Sequence, residues 1–168
     1  MSEDVLHENP WFSVVRQADG DRLWYRVLRP DSSMVIARTR RDVFVMLKGA
    51  RDTTGTRDFF EFPCGAIEQG ESPSEAAIRE TLEETGHRIR GLLGLGNFVE
   101  APGISPAVCH VFTASSASVS SPELEDGETW KVELVSYEQL LMYAATGAIV
   151  DGGTLAAIAM LQSARKQA

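Results

Sequence analysis

The chain is short of the residues that several protein classes are built from. It carries only 2 cysteines in 168 residues, Cys64 and Cys109, in no Cys-x-x-Cys pair. That is too few for a disulfide framework, and a reducing cytoplasm is the expected compartment. Its 3 histidines are scattered, which argues against a zinc site. No apolar run approaches the roughly 18 residues that cross a bilayer, so no membrane partner is expected. The first residues, Met1-Ser-Glu-Asp-Val-Leu-His, are acidic and polar, unlike a signal or transit peptide. Positive charge is also in deficit, with 16 Lys and Arg against 24 Asp and Glu and a net charge of −8. A protein that grips DNA or RNA normally shows a basic face, so a nucleic-acid polymer is not the expected partner. Internal repeats are absent, and only Ser115–Ser121 is compositionally biased, reading as a surface loop.

What is present is an ordinary globular composition, 43% hydrophobic and 24% charged, at a length that suits one domain over residues 1–168. The N-terminal third reads as strands. Phe12–Val15 and Leu23–Val27 flank the turn signal Asp19-Gly20, and Met34–Arg38 and Val43–Leu47 form a second pair. Lys48–Asp58 is rich in Gly, Thr and Arg and reads as a loop, and Phe59–Phe62 as a short strand closed by Pro63. Further strands are expected at Leu92–Glu100, Ala107–Ala114 and Trp130–Val135. A second helix opens at the capping box Ser136-x-x-Gln139 and stops at Gly147, and a third runs over Thr154–Lys166. Many strands with three helices make the fold class α/β or α+β.

The clearest element follows the loop Cys64–Glu71. Ser72 is a good N-cap, Pro73 suits the first helical position, Glu75 completes a Ser-x-x-Glu capping box, and Gly86 is a natural stop. On a helical wheel Ile78, Thr81, Leu82 and Thr85 form the side expected to face the core. Glu80, Glu83 and Glu84 share one stripe with Arg79. Like charges at i,i+3 and i,i+4 destabilise a helix by a few tenths of a kcal/mol each, and Arg79 can pair with Glu83 but not neutralise all three. A Glu-rich helix is usually just a solvated face. The other reading is a site for a hard divalent cation, which takes carboxylates, water and phosphate oxygens.

The preceding loop decides between them. Gly65-x5-Glu71-x7-Arg79-Glu80-x2-Glu83-Glu84-x-Gly86 is the Nudix box, and seven fixed positions would match by chance on the order of once per million chains of this length. Over residues 65–87 strongly, and over most of the chain more weakly, the sequence resembles the Nudix hydrolases. That resemblance implies an α/β/α sandwich around a mixed sheet, a Mg²⁺ or Mn²⁺ cofactor, and hydrolysis of a nucleoside diphosphate linked to another group. It implies metal-binding roles for Glu80, Glu83 and Glu84, with Glu83 and Glu84 also serving catalysis, and for the main-chain carbonyl of Cys64. It gives structural roles to Gly65, Gly86, Glu71 and Arg79, the last two bracing loop against helix. Thr81 and His87 stand where the family usually has aliphatic residues.

The stretch Phe-Glu-Phe-Pro-Cys-Gly-Ala-Ile-Glu-Gln-Gly-Glu is similar to that of the ADP-ribose and ADP-sugar pyrophosphatases. This implies ADP-ribose as leading substrate, with Arg51 as a phosphate clamp and Pro102 and Gly103 in a substrate loop. It places the catalytic base in the acidic loop before Trp130, where Asp126 and Glu128 match best and Glu125 is a reserve. It further implies a homodimer using the N-terminal strands of residues 1–32. Where many of those enzymes have a glutamate, Pro106 and Ala107 follow here, a departure that bears on substrate choice. Trp11 and Phe12 are candidates for stacking on a base, although strand aromatics more often serve a core or an interface. Alternative readings are a Nudix pyrophosphatase of another nucleotide sugar or triphosphate, or a non-catalytic nucleotide sensor.

Overall fold

The computed structural model describes residues 3–51, 55–124 and 130–167, with 51, 56–58 and 167 described in backbone only. Three antiparallel strands come first: β1 (Glu3–Glu8), β2 (Ser13–Asp19) and β3 (Arg22–Leu28), in the order β1-β2-β3. The second sheet has seven strands: β4 (Ser32–Arg38), β5 (Phe44–Arg51), β6 (Thr56–Glu61), β7 (Cys64–Ala66), β8 (His87–Val99), β9 (Val108–Val119) and β10 (Lys131–Val135). Its main path is β10-β5-β4-β9-β8, with β6 on β5 and β7 on β4. The pairing of β4 with β9 is parallel and the others are antiparallel, so the sheet is mixed.

Alternation along β4 and β5 builds two cores. Met34, Ile36, Phe44 and Met46 point to the face covered by α2 (Tyr137–Thr146) and α3 (Gly152–Gln167), packing with Leu140, Ile149, Ala157 and Leu161. Val35, Ala37 and Val45 point to the other face, where Ala77 of α1 (Pro73–Thr85) closes on them. Helices on both faces of a mixed sheet make the α/β/α sandwich that the sequence implied.

One detail of the pairing shapes the site. β4 and β5 pair only at Arg38 and Phe44. Beyond that point β4 continues with β7 at Ser32–Met34, and β5 continues with β6 at Leu47–Arg51. The sheet therefore splits, and the chain reversal between Glu61 and Cys64 lies in the split.

The structure departs from several expectations. Lys48–Asp58 is not all loop, because β5 runs on to Arg51 and β6 begins at Thr56; the polar residues there pair along backbones, which composition does not reveal. Cys64–Ala66 is a strand, and Ser115–Val119 extends β9 rather than forming a loop. β1 is fully exposed along its length and so leaves no hydrophobic alternation to read. On α1, Ile78 is exposed while Ala76, Ala77, Thr81, Glu84 and Thr85 are buried. The buried side is thus rotated toward the carboxylates, because the two alanines let the helix approach β4 closely.

Candidate active site

Helix α1 is set at both ends. Ser72 accepts from Glu75 N, the Glu75 carboxylate accepts from Ser72 N (2.8 Å), and Gly86 closes the helix with φ of 69°. A Cβ at Gly86 would overlap the carbonyl of Ser120, so both the left-handed backbone and the close approach require glycine. The buried His87 follows, with Nδ1 2.8 Å from Ser116 Oγ, and burial pushes its pKa down.

Arg79 organises the loop and the stripe together. Its Nε and Nη2 fork onto Glu71 (both 2.9 Å), Nη2 also reaches the Ala66 carbonyl (3.0 Å), and Nη1 reaches Glu80 (2.7 Å) and Glu83 (3.1 Å). A guanidinium offers five donors in a fixed plane, which is what one residue needs to serve so many acceptors. Glu71 accepts a further bond from Glu68 N (3.1 Å), and the Arg79 contact holds its carboxyl below the usual range. The same carboxylate raises the pKa of Arg79 further above its ordinary value.

The three carboxylates occupy different settings. Glu84 is buried, and its Oε2 accepts from Cys64 N (3.0 Å), tying helix to loop. Glu80 lies against the bare Cα of Gly65, where a Cβ would overlap its carboxylate. Glu83 is 41% exposed. Among the described residues no three acidic, histidine or cysteine side chains converge enough to complete a metal site unaided. The donor set, all hard carboxylate oxygen beside a loop only glycine can line, fits a cation that fills out its shell with water and phosphate.

The loop opens on a cleft of about 880 Å³ lined by Glu61, Cys64, Gly65 and Ala66, and by Trp11, Arg29 and Glu100 from beyond the box. A ligand-sized cavity is commonly about 300–1,000 Å³. Arg29 pairs with Glu100, which also accepts from Ser32 Oγ (2.5 Å). Trp11 is 75% exposed on a turn held by Asn9, whose Oδ1 accepts from Trp11 N and Phe12 N (2.9 and 3.0 Å). Sequence reasoning missed Arg29, Glu61 and Glu100, since no local pattern distinguishes them. Cys64 is free, and its thiol pKa is raised by hydrogen bonding to Cys109, by burial, and by the charges of Glu84 and Glu61.

Other candidates fall elsewhere. Pro102 and Gly103 form an exposed turn closed by Ile104 N and Ser105 N on the Ala101 carbonyl (2.9 and 2.8 Å). Arg51 ends β5, with its side chain outside the description. Asp126 and Glu128, with Glu125, lie outside the described residues.

A charged loop-and-helix unit mounted on an α/β/α sandwich, beside a cleft of this size, can set a divalent cation against a ligand of dense negative charge. The NUDIX domain profile matches residues 27–157. Over 138 residues the chain is 33% identical to an ADP-ribose pyrophosphatase of Bacillus subtilis (strain 168), covering 81% of this chain and 74% of that protein. It is 29% identical over 138 residues to a methanol dehydrogenase activator of Bacillus methanolicus, with the same coverage of 81% and 74%. A crystal structure of an ADP compounds hydrolase shares the fold with a TM-score of 0.84, at 19% identity over 99% of this chain and 93% of that one. The chain therefore belongs to the Nudix family and is a hydrolase of pyrophosphate bonds.

Proposed function

We propose that the protein hydrolyses the pyrophosphate bond of a nucleoside diphosphate sugar, with ADP-ribose as leading substrate and AMP and ribose 5-phosphate as products, and that it uses Mg²⁺ or Mn²⁺. The observation that carries this reading is the stripe Glu80, Glu83 and Glu84, tied through Cys64 N and Arg79 to the Gly65 loop at the cleft. Glu80, Glu83 and Glu84, with the Cys64 carbonyl, would hold the cation. A divalent ion there offsets phosphate charge and makes a water more acidic.

The chain's own residues do the rest. Arg79 and Glu71 hold the carboxylates in place before substrate arrives, and preorganised charge needs no rearrangement during reaction. Asp126 or Glu128 takes the proton from the attacking water, Arg51 clamps a phosphate through its fork of donors, and Pro102 and Gly103 border the substrate. The N-terminal strands, with Val5, Leu23, Trp24 and Tyr25 exposed, form a homodimer interface.

The test is product release from ADP-ribose, ADP-glucose, GDP-mannose, diadenosine polyphosphates and dNTPs with Mg²⁺, for wild type and Glu84→Gln together. ADP-ribose turnover that collapses in the variant is the expected result. Preference for another compound moves the substrate; binding of ADP-ribose without turnover of any compound overturns the catalytic reading.

A further inference from the structure

The chain reversal between Glu61 and Cys64 leads β6 into the box loop, and it is held from three sides. From α1, the Glu84 carboxylate accepts from Cys64 N (3.0 Å). Within the sheet, Val35 N donates to the Pro63 carbonyl (3.0 Å), and β7 pairs with β4 at Ser32–Met34. From the opposite face, Thr154 of α3 accepts at Oγ1 from Phe62 N (3.2 Å), across 92 residues of chain. Phe62 and Thr154 are both fully buried, so solvent cannot replace that bond. Thr154 is itself fixed. Asp151 caps α3, its Oδ2 accepting from Thr154 N (2.6 Å) and its carbonyl from Leu155 N (3.0 Å). Gly153 lets this first turn lie against the sheet, since a Cβ there would stand 3.1 Å from Met34 Cε and 3.5 Å from Phe98 Cζ. Asp151, Gly152 and Gly153 line the same cleft as Cys64 and Gly65.

Only Pro63 separates the Phe62 amide from Cys64. A residue has two soft backbone dihedrals, and the proline ring fixes one of them, so a shift at Phe62 is passed on to Cys64 with little to absorb it. A buried N–H that loses its acceptor is costly, and the reversal has to move if that amide is to find another. Groups that hold metal ligands from outside commonly matter tenfold to a hundredfold for metal affinity. We propose that Thr154 is a positioning residue for the metal site: its hydroxyl oxygen, acting through Phe62 and Pro63, sets where the Cys64 carbonyl stands relative to Glu80, Glu83 and Glu84. The inference rests on the proposed cation reading of the box and extends it to a helix that supplies none of the proposed ligands.

The test is Mn²⁺ binding to the intact protein, followed by electron paramagnetic resonance with no nucleotide present, so that turnover plays no part. Thr154→Val keeps the shape and loses the oxygen, whereas Thr154→Ser keeps the oxygen and loses the methyl group. Thr154→Val is expected to bind Mn²⁺ about tenfold more weakly than wild type, with its urea transition still cooperative. Thr154→Ser is expected to match wild type in Mn²⁺ affinity, even where the lost methyl lowers its urea midpoint. Thr154→Ala, which also lacks the oxygen, serves if the valine variant does not fold and should show the same weakening. An affinity that follows the methyl instead, weakest in the serine variant, overturns the inference and leaves Thr154 a packing residue. Mn²⁺ binding that Glu84→Gln loses and Thr154→Val keeps overturns this inference alone. Failure of wild type to bind Mn²⁺ overturns it together with the metal reading of the box.

Discussion

In α1 and the loop before it, nearly every charged side chain serves the local structure: Glu75 caps the helix, Glu84 bonds the loop, and Arg79 reaches four acceptor residues. In β1–β3 the charges sit at the surface, in pairs such as Asp4 with Arg16 and Glu3 with Arg26, while Val5, Leu23, Trp24 and Tyr25 stand exposed beside them. Exposed pairs contribute little, so the N-terminal sheet draws its order from the molecule behind it. Val27 N donates to the Ile104 carbonyl (2.7 Å), and Val15 is buried. The box region specifies itself, whereas the N-terminal sheet offers a surface.

The largest expected effect tests the self-specified half. Glu84→Gln should lower kcat by about a hundredfold or more while the thermal melt stays cooperative, and near-normal turnover would remove Glu84 from the machinery. Gly65→Ala should lower kcat by about tenfold to a hundredfold by displacing Glu80. Its control is Gly20→Ala in the β2–β3 turn, where φ is 58° but nothing lies within 4 Å; activity there should be unchanged, with only a modest loss in denaturant midpoint. For the N-terminal half, Trp24→Glu should convert a dimer to a monomer by sedimentation velocity with little change in kcat per chain, and a wild type that sediments as monomer ends the dimer proposal.

The smallest effect concerns the helix exit. Because burial lowers the pKa of His87 below its ordinary 6.5, the unfolded chain takes up that proton first as pH falls. Stability should therefore decline as pH drops below about 6.5. Glu71 and Glu75, held low by Arg79 and Ser72, act only below the ordinary carboxylate range. Urea midpoints at pH 7 and pH 5.5 should differ for wild type and much less for His87→Gln; equal slopes would refute the assignment to His87.

The box helix was legible from its sequence because its signals are local: cap, first-turn proline, and glycine stop lie within 15 residues. Its orientation was legible only in part: Thr81 and Thr85 face the core as expected, but Ile78 does not. Ile78 outweighs Ala77 on any hydrophobicity scale, yet small residues win where a helix must lie close to a sheet, and that requirement comes from β4 and β5. The same holds for the strands. β4 announces itself by its buried run, but β1 and the end of β5 exist through backbone pairing with the strand that follows each. Of the site, the spaced carboxylates could be read directly, while Arg29, Glu61 and Glu100 meet the cleft only through the sheet's topology.

The guanidinium of Arg79 also bears on how the protein is assembled in the cell. It gathers Glu71, Glu80 and Glu83 around one fixed positive charge, so part of the repulsion between Glu80 and Glu83 is relieved in the polypeptide alone. Small zinc-dependent domains behave otherwise, since they fold only once their ion arrives. Here the chain carries an internal counterion, and its folding is not expected to wait on the proposed metal. A chelator should silence such a protein and leave it folded, ready to be recharged.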